Sequence, residues 1–129
     1  MTTDARLQGT ILIVEDLPDI QKIARRVLER EGATVLTASD GVEALEVFEA
    51  HKDNLTAVLL DLSLPRLRGE EVLAQMQTRR HDLPVVVASG WDEHEVVKRA
   101  PNPTATAFLA KPFRPSELTE RIRSVIARR

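Results

Sequence analysis

Five short apolar segments, separated by stretches with helical spacing, restrict the fold of this chain more than any other feature. They occupy positions 10–14, 34–38, 57–60, 84–88 and 106–110. The first, third and fourth are almost uniformly apolar, which is typical of strands buried on both faces of a parallel sheet. Because strands and helices alternate with short connections, the order predicts an α/β domain with one parallel sheet, helices on both faces and right-handed crossovers.

The stretches between the segments carry apolar residues three and four positions apart, as amphipathic helices do. Pro18 suits the first turn of the first helix, and Gly32 follows its end. Similar patterns predict helices near 42–48, 72–76 and 118–126. In the first helix, the spacing predicts a core-facing stripe of Ile20, Ile23, Ala24, Val27 and Leu28.

The fourth helix is the weakest of the predicted helices. In the stretch 92–100, only Val96, Val97 and Ala100 could face a core, and Pro101 ends the pattern. A second proline, Pro103, follows two positions later. We therefore expect this helix to be short, shifted or partly irregular.

Composition narrows the class of protein. The 129 residues fit one compact domain, which we predict over 10–128 after a flexible lead at 1–9. The net charge of −2 argues against a general nucleic-acid binder. The absence of cysteine excludes disulfides, thiolate zinc sites and a cysteine nucleophile, and it suits a reducing cytoplasm. No apolar run approaches the roughly 20 residues of a membrane span, so we expect a cytoplasmic domain without direct nucleic-acid or membrane contacts.

Polar residues follow four of the five predicted strands. Glu15 and Asp16 come after the first strand, Asp61 after the third, Ser89 after the fourth and Lys111 after the fifth. In open parallel sheets, ligands bind at the carboxyl ends of the strands, near the point where the strand order reverses. We therefore predict that these five side chains converge on one site.

Charge indicates the chemistry of such a site. Neighbouring carboxylates repel one another unless a cation or a proton enters, and a few hard oxygen ligands with room for water suit Mg²⁺. The Asp61 carboxylate can act as a covalent nucleophile toward phosphorus. Lys111 and the Ser89 hydroxyl can offset or bind the charge on the phosphoryl oxygens. These residues predict Mg²⁺-dependent phosphoryl transfer to Asp61.

Each residue also has an ordinary structural explanation. Glu15 and Asp16 could cap the following helix, Asp61 could begin a turn, and Ser89–Gly90 is a common turn dipeptide. Lys111 says little by itself. The functional interpretation is favoured for the set, because separate turns give no reason for three acids, a hydroxyl and an amine to share one edge.

Four stretches spread over nearly the whole chain carry a family pattern. They are ILIVED at 11–16, DLSLP at 61–65 followed by Gly69, ASG at 88–90 and FLAKPF at 108–113. Together they resemble the receiver domains of response regulators. The resemblance implies a doubly wound, flavodoxin-like sheet of five parallel strands in the order 2-1-3-4-5, and a phosphoacceptor role in two-component signalling.

The resemblance implies a ligand set for Mg²⁺. Asp61 would be the phosphoacceptor and, with Asp16, a direct ligand of the ion. Glu15 would act mostly through water, and the backbone carbonyl of Ser63 would be a further ligand. The Glu-Asp pair at 15–16 departs from the more frequent Asp-Asp, and the longer side chain still permits a water-bridged contact.

The resemblance also implies a switch. Ser89 and Lys111 would contact the phosphoryl group. Phe108 stands at the position of the family's switch aromatic, which turns inward as the hydroxyl residue moves toward the phosphate. Packing in the core is the alternative role of Phe108, and the two roles are compatible.

Partners follow from the same resemblance. The donor would be a histidine kinase or a histidine phosphotransfer protein, and the domain, a monomer or weak dimer, would catalyse only its own phosphorylation and dephosphorylation. The family binds partners through the fourth helix, the fifth strand and the fifth helix. The residues that we assign to a partner surface are Trp91, Val96, Val97 and Phe113. The patterns at 9–16, 89–91 and 111–115 resemble receivers fused to the C-terminus of hybrid histidine kinases.

Three rival classes have weaker support. An aspartyl-phosphate phosphatase of the haloacid dehalogenase type needs a second acid two residues after the nucleophile, where this chain has Ser63. A flavodoxin-like nucleotide or flavin binder needs a Gly- or Ser/Thr-rich phosphate loop after the first strand, where Glu15 and Asp16 would repel a phosphate. A degenerate receiver used only for protein contacts would not require the complete set of five polar residues.

Overall fold

The computed structural model of the protein describes residues 7–64, 67–90 and 94–128. Strands and helices alternate along them as the sequence pattern predicts. The order is β1 (Thr10–Val14), α1 (Pro18–Arg30), β2 (Thr34–Ala38), α2 (Gly41–His51), β3 (Leu55–Asp61), α3 (Gly69–Arg79), β4 (Val85–Ser89), α4 (His94–Arg99), a short 3₁₀ helix (Pro103–Ala105), β5 (Thr106–Ala110) and α5 (Pro115–Ala127).

The five strands form one sheet in the order β2-β1-β3-β4-β5, and all four pairings are parallel. This confirms the predicted doubly wound fold and its strand order. The order reverses at β1, which pairs with β2 on one side and with β3 on the other. The carboxyl ends of the central strands therefore border the crevice in which such sheets bind ligands.

Apolar side chains from the two faces of the sheet pack into two separate layers. On the face covered by α1 and α5, Ile11 and Ile13 contact a cluster that includes Leu28. On the face covered by α2, α3 and α4, Leu12 and Val14 join a cluster around α2 and α3. Because successive residues of β1 enter opposite layers, its four apolar residues, Ile11 to Val14, are all buried. This explains the uniformly apolar composition of the strand.

The outer edge of β5 is covered by side chains of α5. The Arg121 Nε donates to the carbonyl of Phe108 at 3.0 Å, and the Arg128 Nη1 donates to the carbonyl of Thr106 at 3.4 Å. Residues two apart in a parallel strand direct their backbone groups to the same side, and the N–H of Lys111 donates toward β4. The carbonyls at 106 and 108 therefore face away from the sheet, and both have a donor.

The first helix buries a narrower stripe than its spacing predicts. Ala24 and Leu28 are fully buried, whereas 53% of Ile23 is exposed. Ile20 and Ile23 line a surface groove of about 330 Å³ together with Phe113 from the loop before α5. The prediction that Ile23 faces the core is therefore wrong, because the helix packs on the sheet through its smaller Ala24 side.

The fourth helix is short, as expected. It has six residues and stops before Pro101, and the 3₁₀ helix then leads into β5. The longest helices in the described part of the chain are α1 and α5, with 13 residues each. None of the described helices is long and apolar enough to cross a membrane.

Leu7, within the stretch that we assigned to a flexible lead, packs against the rest of the domain. Leu7 is buried, and its N–H donates to the carbonyl of Glu31 at 2.6 Å. Gly9 has a φ of 105°, and a Cβ there would lie 2.0 Å from the Thr56 Oγ1. Only glycine fits this close approach without strain. Residues 1–6 lie outside the described residues.

Two substitutions on α1 separate buried from exposed apolar residues. Leu28→Ala removes a fully buried side chain, so we expect a loss of about 2–5 kcal/mol in the free energy of unfolding. Ile23→Ala, the matched control, changes a half-exposed side chain to the best helix former, and we expect a change within about 1 kcal/mol. Urea denaturation measures both. Similar losses for the two variants would contradict the described orientation of the helix.

Candidate functional site

The polar residues predicted at the strand ends lie at one edge of the sheet. Asp61 and Ser89 are the last residues of β3 and β4, and Glu15 and Lys111 directly follow β1 and β5. The pairings of Asp61 with Ala88 and of Ser89 with Ala110 place these ends side by side. The ends of the strands that carry these residues therefore lie at one edge of the sheet.

Three carboxylates form the centre of the site. Glu15, Asp16 and Asp61 each offer an oxygen, and the three oxygens lie within 4.8 Å of one another. Glu15 is 4% exposed and Asp61 is 3% exposed, while Asp16 is more accessible. Carboxylates this close repel one another strongly when two of them are buried. A hard divalent cation matches both the charge and the oxygen donors of this set.

Lys111 compensates part of this charge. Its Nζ donates to the Glu15 Oε1 at 2.7 Å and lies 3.4 Å from the Asp61 Oδ2. Three carboxylates and one ammonium still carry a net charge of −2 when all are ionised. The site therefore retains an attraction for a divalent cation with the lysine in place.

The pKa values reflect these contacts. Burial raises the pKa of Glu15, and the charge of Asp61 adds to this effect. Hydrogen bonds from Lys111 and from the Leu17 N–H oppose it, but the net pKa is above the ordinary value. Burial alone would lower the pKa of Lys111, but its hydrogen bond to Glu15 and the two negative charges outweigh burial and raise it.

Glu15 and Asp61 also bind backbone N–H groups close to them in sequence, although no side-chain hydrogen bond caps α1. The Glu15 Oε2 accepts from the N–H of Leu17, the residue that precedes α1, at 3.2 Å. The Asp61 Oδ1 accepts from the Ser63 N–H at 3.0 Å, which is an Asx-turn contact. Turn formation and charge clustering are thus properties of the same side chains, and neither excludes the other.

Two contributors to the site were not predicted as such. The Gln21 Nε2 donates to the carbonyls of Glu15 and Ala38 at 3.0 and 3.3 Å, so it holds α1 against the ends of β1 and β2. At Gly69, a Cβ would lie 2.6 Å from the Leu62 Cα and 2.7 Å from the Asp61 carbonyl oxygen. Glycine therefore lets α3 begin against the end of β3. Gln21 gave no sequence signal, since a polar residue fits a solvent-facing helix position equally well.

The residues assigned to a switch lie near the same edge. Ser89 is fully buried, and its carbonyl accepts from the Lys111 N–H at 2.8 Å. Phe108 is half-buried against the layer formed by α2, α3 and α4, and it pairs with Val87 in the sheet. The core-packing role of Phe108 is therefore present.

Of the residues assigned to a partner surface, the three that the structure describes do not share one face of the sheet. Val96 is only 4% exposed and belongs to the core, while Val97 is half-buried beside it. Phe113 packs against the α1–α5 layer, which is on the opposite face of the sheet. Trp91 lies outside the described residues. Val96 therefore serves core packing, and Phe113 lies on the opposite face of the sheet from Val97.

Comparisons with known proteins agree with this arrangement. The sequence model of the response regulator receiver domain matches residues 11–123. The alkaline phosphatase synthesis transcriptional regulatory protein PhoP of Bacillus subtilis is 35% identical over 118 residues, which are 92% of this chain and 48% of that protein. This chain spans about half the length of the curated relatives that it matches first.

Solved structures show the same fold. The response regulator TrrA of Thermotoga maritima, in complex with Mg²⁺-BeF, has a TM-score of 0.78 at 26% identity and covers 91% of this chain and 98% of its own. The receiver domain of the hybrid histidine kinase CckA has a TM-score of 0.78 at 30% identity, with coverage of 92% and 99%.

The charge cluster predicts a titration behaviour that ¹³C NMR of the glutamate carboxyl groups can measure without divalent cations. We expect Glu15 to titrate above an ordinary glutamate, and Asp61→Asn to lower its pKa, because the Asp61 charge disfavours the ionised form. Glu49, whose pKa is lowered by Arg79 on the surface, serves as an internal reference that should not respond. An unchanged Glu15 pKa in the variant would contradict the described proximity.

The raised pKa of Glu15 also determines how the stability of the fold changes with pH. The folded-state pKa of Glu15 is above the unfolded value, so its contribution to folding is full below the unfolded pKa. That contribution is lost as the pH rises through the folded-state pKa. The pKa of Lys111 is also raised in the folded state. Its contribution to folding therefore persists until the pH rises through its own folded-state pKa.

Proposed function

Because this chain belongs to the response regulator receiver domain family, we propose that Asp61 is the residue on which it accepts a phosphoryl group. Receiver domains are the phosphoacceptors of two-component signalling, and they interact with histidine kinases or phosphotransfer proteins. One observation supports Asp61 above the other acids. It is the carboxylate that lies at the end of the central strand β3, beside both the acidic pair and Lys111.

The transfer uses the free carboxylate of Asp61. One of its oxygens attacks the phosphorus of a phosphohistidine as the P–N bond breaks, and the electron pair returns to the imidazole. The ring, protonated on its other nitrogen, leaves as neutral imidazole. Negative charge spreads over the phosphoryl oxygens in the transition state, and the Lys111 ammonium is near enough to Asp61 to offset it.

The return reaction uses the same residues. Water attacks phosphorus, the bond between phosphorus and the Asp61 oxygen breaks, and inorganic phosphate leaves. The domain then acts on its own phosphoryl group and on no separate substrate. This is a signalling role with a built-in lifetime, set by access of water to a carboxylate that is almost completely buried.

The acid cluster fits Mg²⁺. Asp16 and Asp61 would hold the ion directly, Glu15 through water, and the backbone carbonyl of Ser63 would complete the protein ligands. Bound there, the ion would neutralise charge on the phosphoryl group and on the acids. The fit follows from the donor set, since three hard oxygen donors lie together with an uncompensated charge. The relative TrrA was solved with Mg²⁺-BeF.

Phosphorylation adds charge beside buried Ser89 and partly buried Lys111. We infer that the Ser89 hydroxyl and the Lys111 ammonium turn to the phosphoryl oxygens, and that Phe108 repacks with them. Lys111 would then exchange its contact with Glu15 for one with the new group. A local change of charge would in this way bias the packing of α4 and β5, where Val97 and Phe108 are only partly buried.

Incubation with acetyl phosphate and Mg²⁺ tests the acceptor. We expect a mass gain of one phosphoryl group in the intact protein, because the Asp61 carboxylate lies beside the Lys111 ammonium that would offset charge on the phosphoryl group. Asp61→Asn should abolish the gain. Asp53→Asn, which changes an exposed loop aspartate, is the matched control and should retain it.

A gain that persists in Asp61→Asn would show that another residue is the acceptor. A correctly folded protein that gains no mass, and shows no response to beryllofluoride, would instead identify a degenerate receiver that works through protein contacts alone. Circular dichroism establishes that each variant is folded.

Isothermal titration calorimetry tests whether the protein binds Mg²⁺ and which residues hold it. We expect Mg²⁺ to bind, and Asp16→Asn to raise the dissociation constant by at least about tenfold, since losing one charged ligand costs more than the 1.4 kcal/mol to which a tenfold change corresponds. Asp19→Asn, on the exposed first turn of α1, is the control for a general change in charge. Equal affinities of Asp16→Asn and the unmodified protein would remove Asp16 from the ligand set.

A further inference from the structure

A buried polar cluster lies at the end of the sheet opposite the acid cluster. Its centre is Gln77, near the end of α3, which is completely buried. The Gln77 Nε2 donates to the Leu83 carbonyl at 3.1 Å and to the Thr106 Oγ1 at 2.9 Å, and its Oε1 accepts from the Asn102 N–H at 3.1 Å. A buried amide without partners is costly, so these bonds define one position for the groups that they join.

The cluster holds residues 100–106, which we name the anchor segment. The Asn102 Nδ2 donates to the His81 carbonyl, and the Thr106 hydroxyl donates to the Asn102 carbonyl, both at 2.8 Å. The Ala105 N–H donates to the same carbonyl at 3.1 Å. Two prolines limit the backbone of this segment further. The anchor segment is therefore fixed by directional bonds to α3 and to the loop before β4.

The anchor segment lies far from the phosphorylation site along the strands. β4 begins at Val85 and ends at Ser89, so the two ends are about 13 Å apart at the rise of an extended strand. α4 comes between these ends in the chain. Its C-terminal side joins the anchor segment, and its N-terminal side leads back to Ser89 and Gly90.

α4 itself is held by apolar contacts and an exposed ion pair, whereas the anchor segment is held by directional hydrogen bonds. Val96 packs into the apolar layer, and Arg99 pairs with Glu70 at 3.1 Å between exposed side chains. Apolar contacts are non-directional, and exposed ion pairs contribute little. At the other end, a Cβ on Gly90 would meet nothing within 4 Å among the residues that the structure describes, so the side-chain position there is open.

We propose that Gln77 is a positioning residue that fixes the anchor segment, so that the response to phosphorylation in α4, at the Ser89–Gly90 end and at Phe108 does not extend into residues 100–106. α4 then pivots about its C-terminal attachment. This inference rests on the proposed function, because it concerns where the response to the phosphoryl group stops. The sequence feature on which it depends is Pro101-Asn102-Pro103, whose central residue binds Gln77 through its backbone.

Hydrogen exchange of the full chain, with and without beryllofluoride and Mg²⁺, tests the proposal. We expect beryllofluoride to change exchange in α4 and near Ser89, while the amides of Asn102, Ala105 and Thr106 in the anchor segment stay unchanged. Gln77→Met keeps the volume but removes the donor and acceptor. In that variant we expect these amides to exchange about tenfold faster, and the beryllofluoride effect to extend into the anchor segment.

Gln75→Met is the matched control. It places the same substitution on the partly exposed side of α3, and it should leave the anchor segment as in the unmodified protein. Thr106→Val, which is nearly isosteric and removes one acceptor of the Gln77 amide, should give a weaker version of the Gln77→Met effect. It also preserves the test if Gln77→Met does not fold.

The outcomes separate the two proposals. If beryllofluoride changes the anchor segment of the unmodified protein as much as α4, the confinement is refuted while the proposed function stands. The same holds if the Gln77→Met response stops at α4, as in the control. If beryllofluoride changes exchange nowhere in the unmodified protein, the proposed function fails and this inference fails with it.

Discussion

The mutual repulsion of three carboxylates is the constraint around which the molecule is organised. Two of the three acids are almost completely buried, so the fold must supply the free energy that keeps them together. It does so through the parallel pairing of β1 with β3, whose side chains fill apolar layers on both faces. Lys111, which directly follows the outer strand β5, compensates one of the three negative charges. The site keeps a net charge of −2 when all four groups are ionised. This incomplete compensation is the feature of the site that favours a cation.

The two ends of the sheet use different interactions. At the carboxyl ends, charged groups lie close together and can exchange partners, as Lys111 can between Glu15, Asp61 and a phosphoryl group. At the amino ends, neutral groups are joined by saturated hydrogen bonds around Gln77. A charged cluster responds to an added charge, whereas a neutral, fully bonded cluster does not. Because the groups at the amino ends of the strands are held in place, a displacement at the carboxyl ends can have a defined direction.

The sequence predicted the fold and most of the site because both depend on simple periodicities. Uniformly apolar runs identify strands, and a polar residue directly after such a run lies at the edge formed by the carboxyl ends of the strands. Other features depend on packing that no local pattern records. Ile23 has helical spacing but faces a groove, and Leu7 is a lone apolar residue in a polar stretch, yet it is buried. Gln77 looks like a surface residue until Asn102 and Thr106, distant in sequence, surround it.

The arginines of α5 have a consequence for how this domain can associate. An edge strand with free backbone groups is a template for another strand, either from a partner or from a second unfolded copy. Arg121 and Arg128 occupy the outward carbonyls of Phe108 and Thr106, and they place charge along that edge. A strand approaching β5 would have to displace both. Recognition at this side must therefore proceed through side chains, and the chain is protected there against the growth of cross-β aggregates.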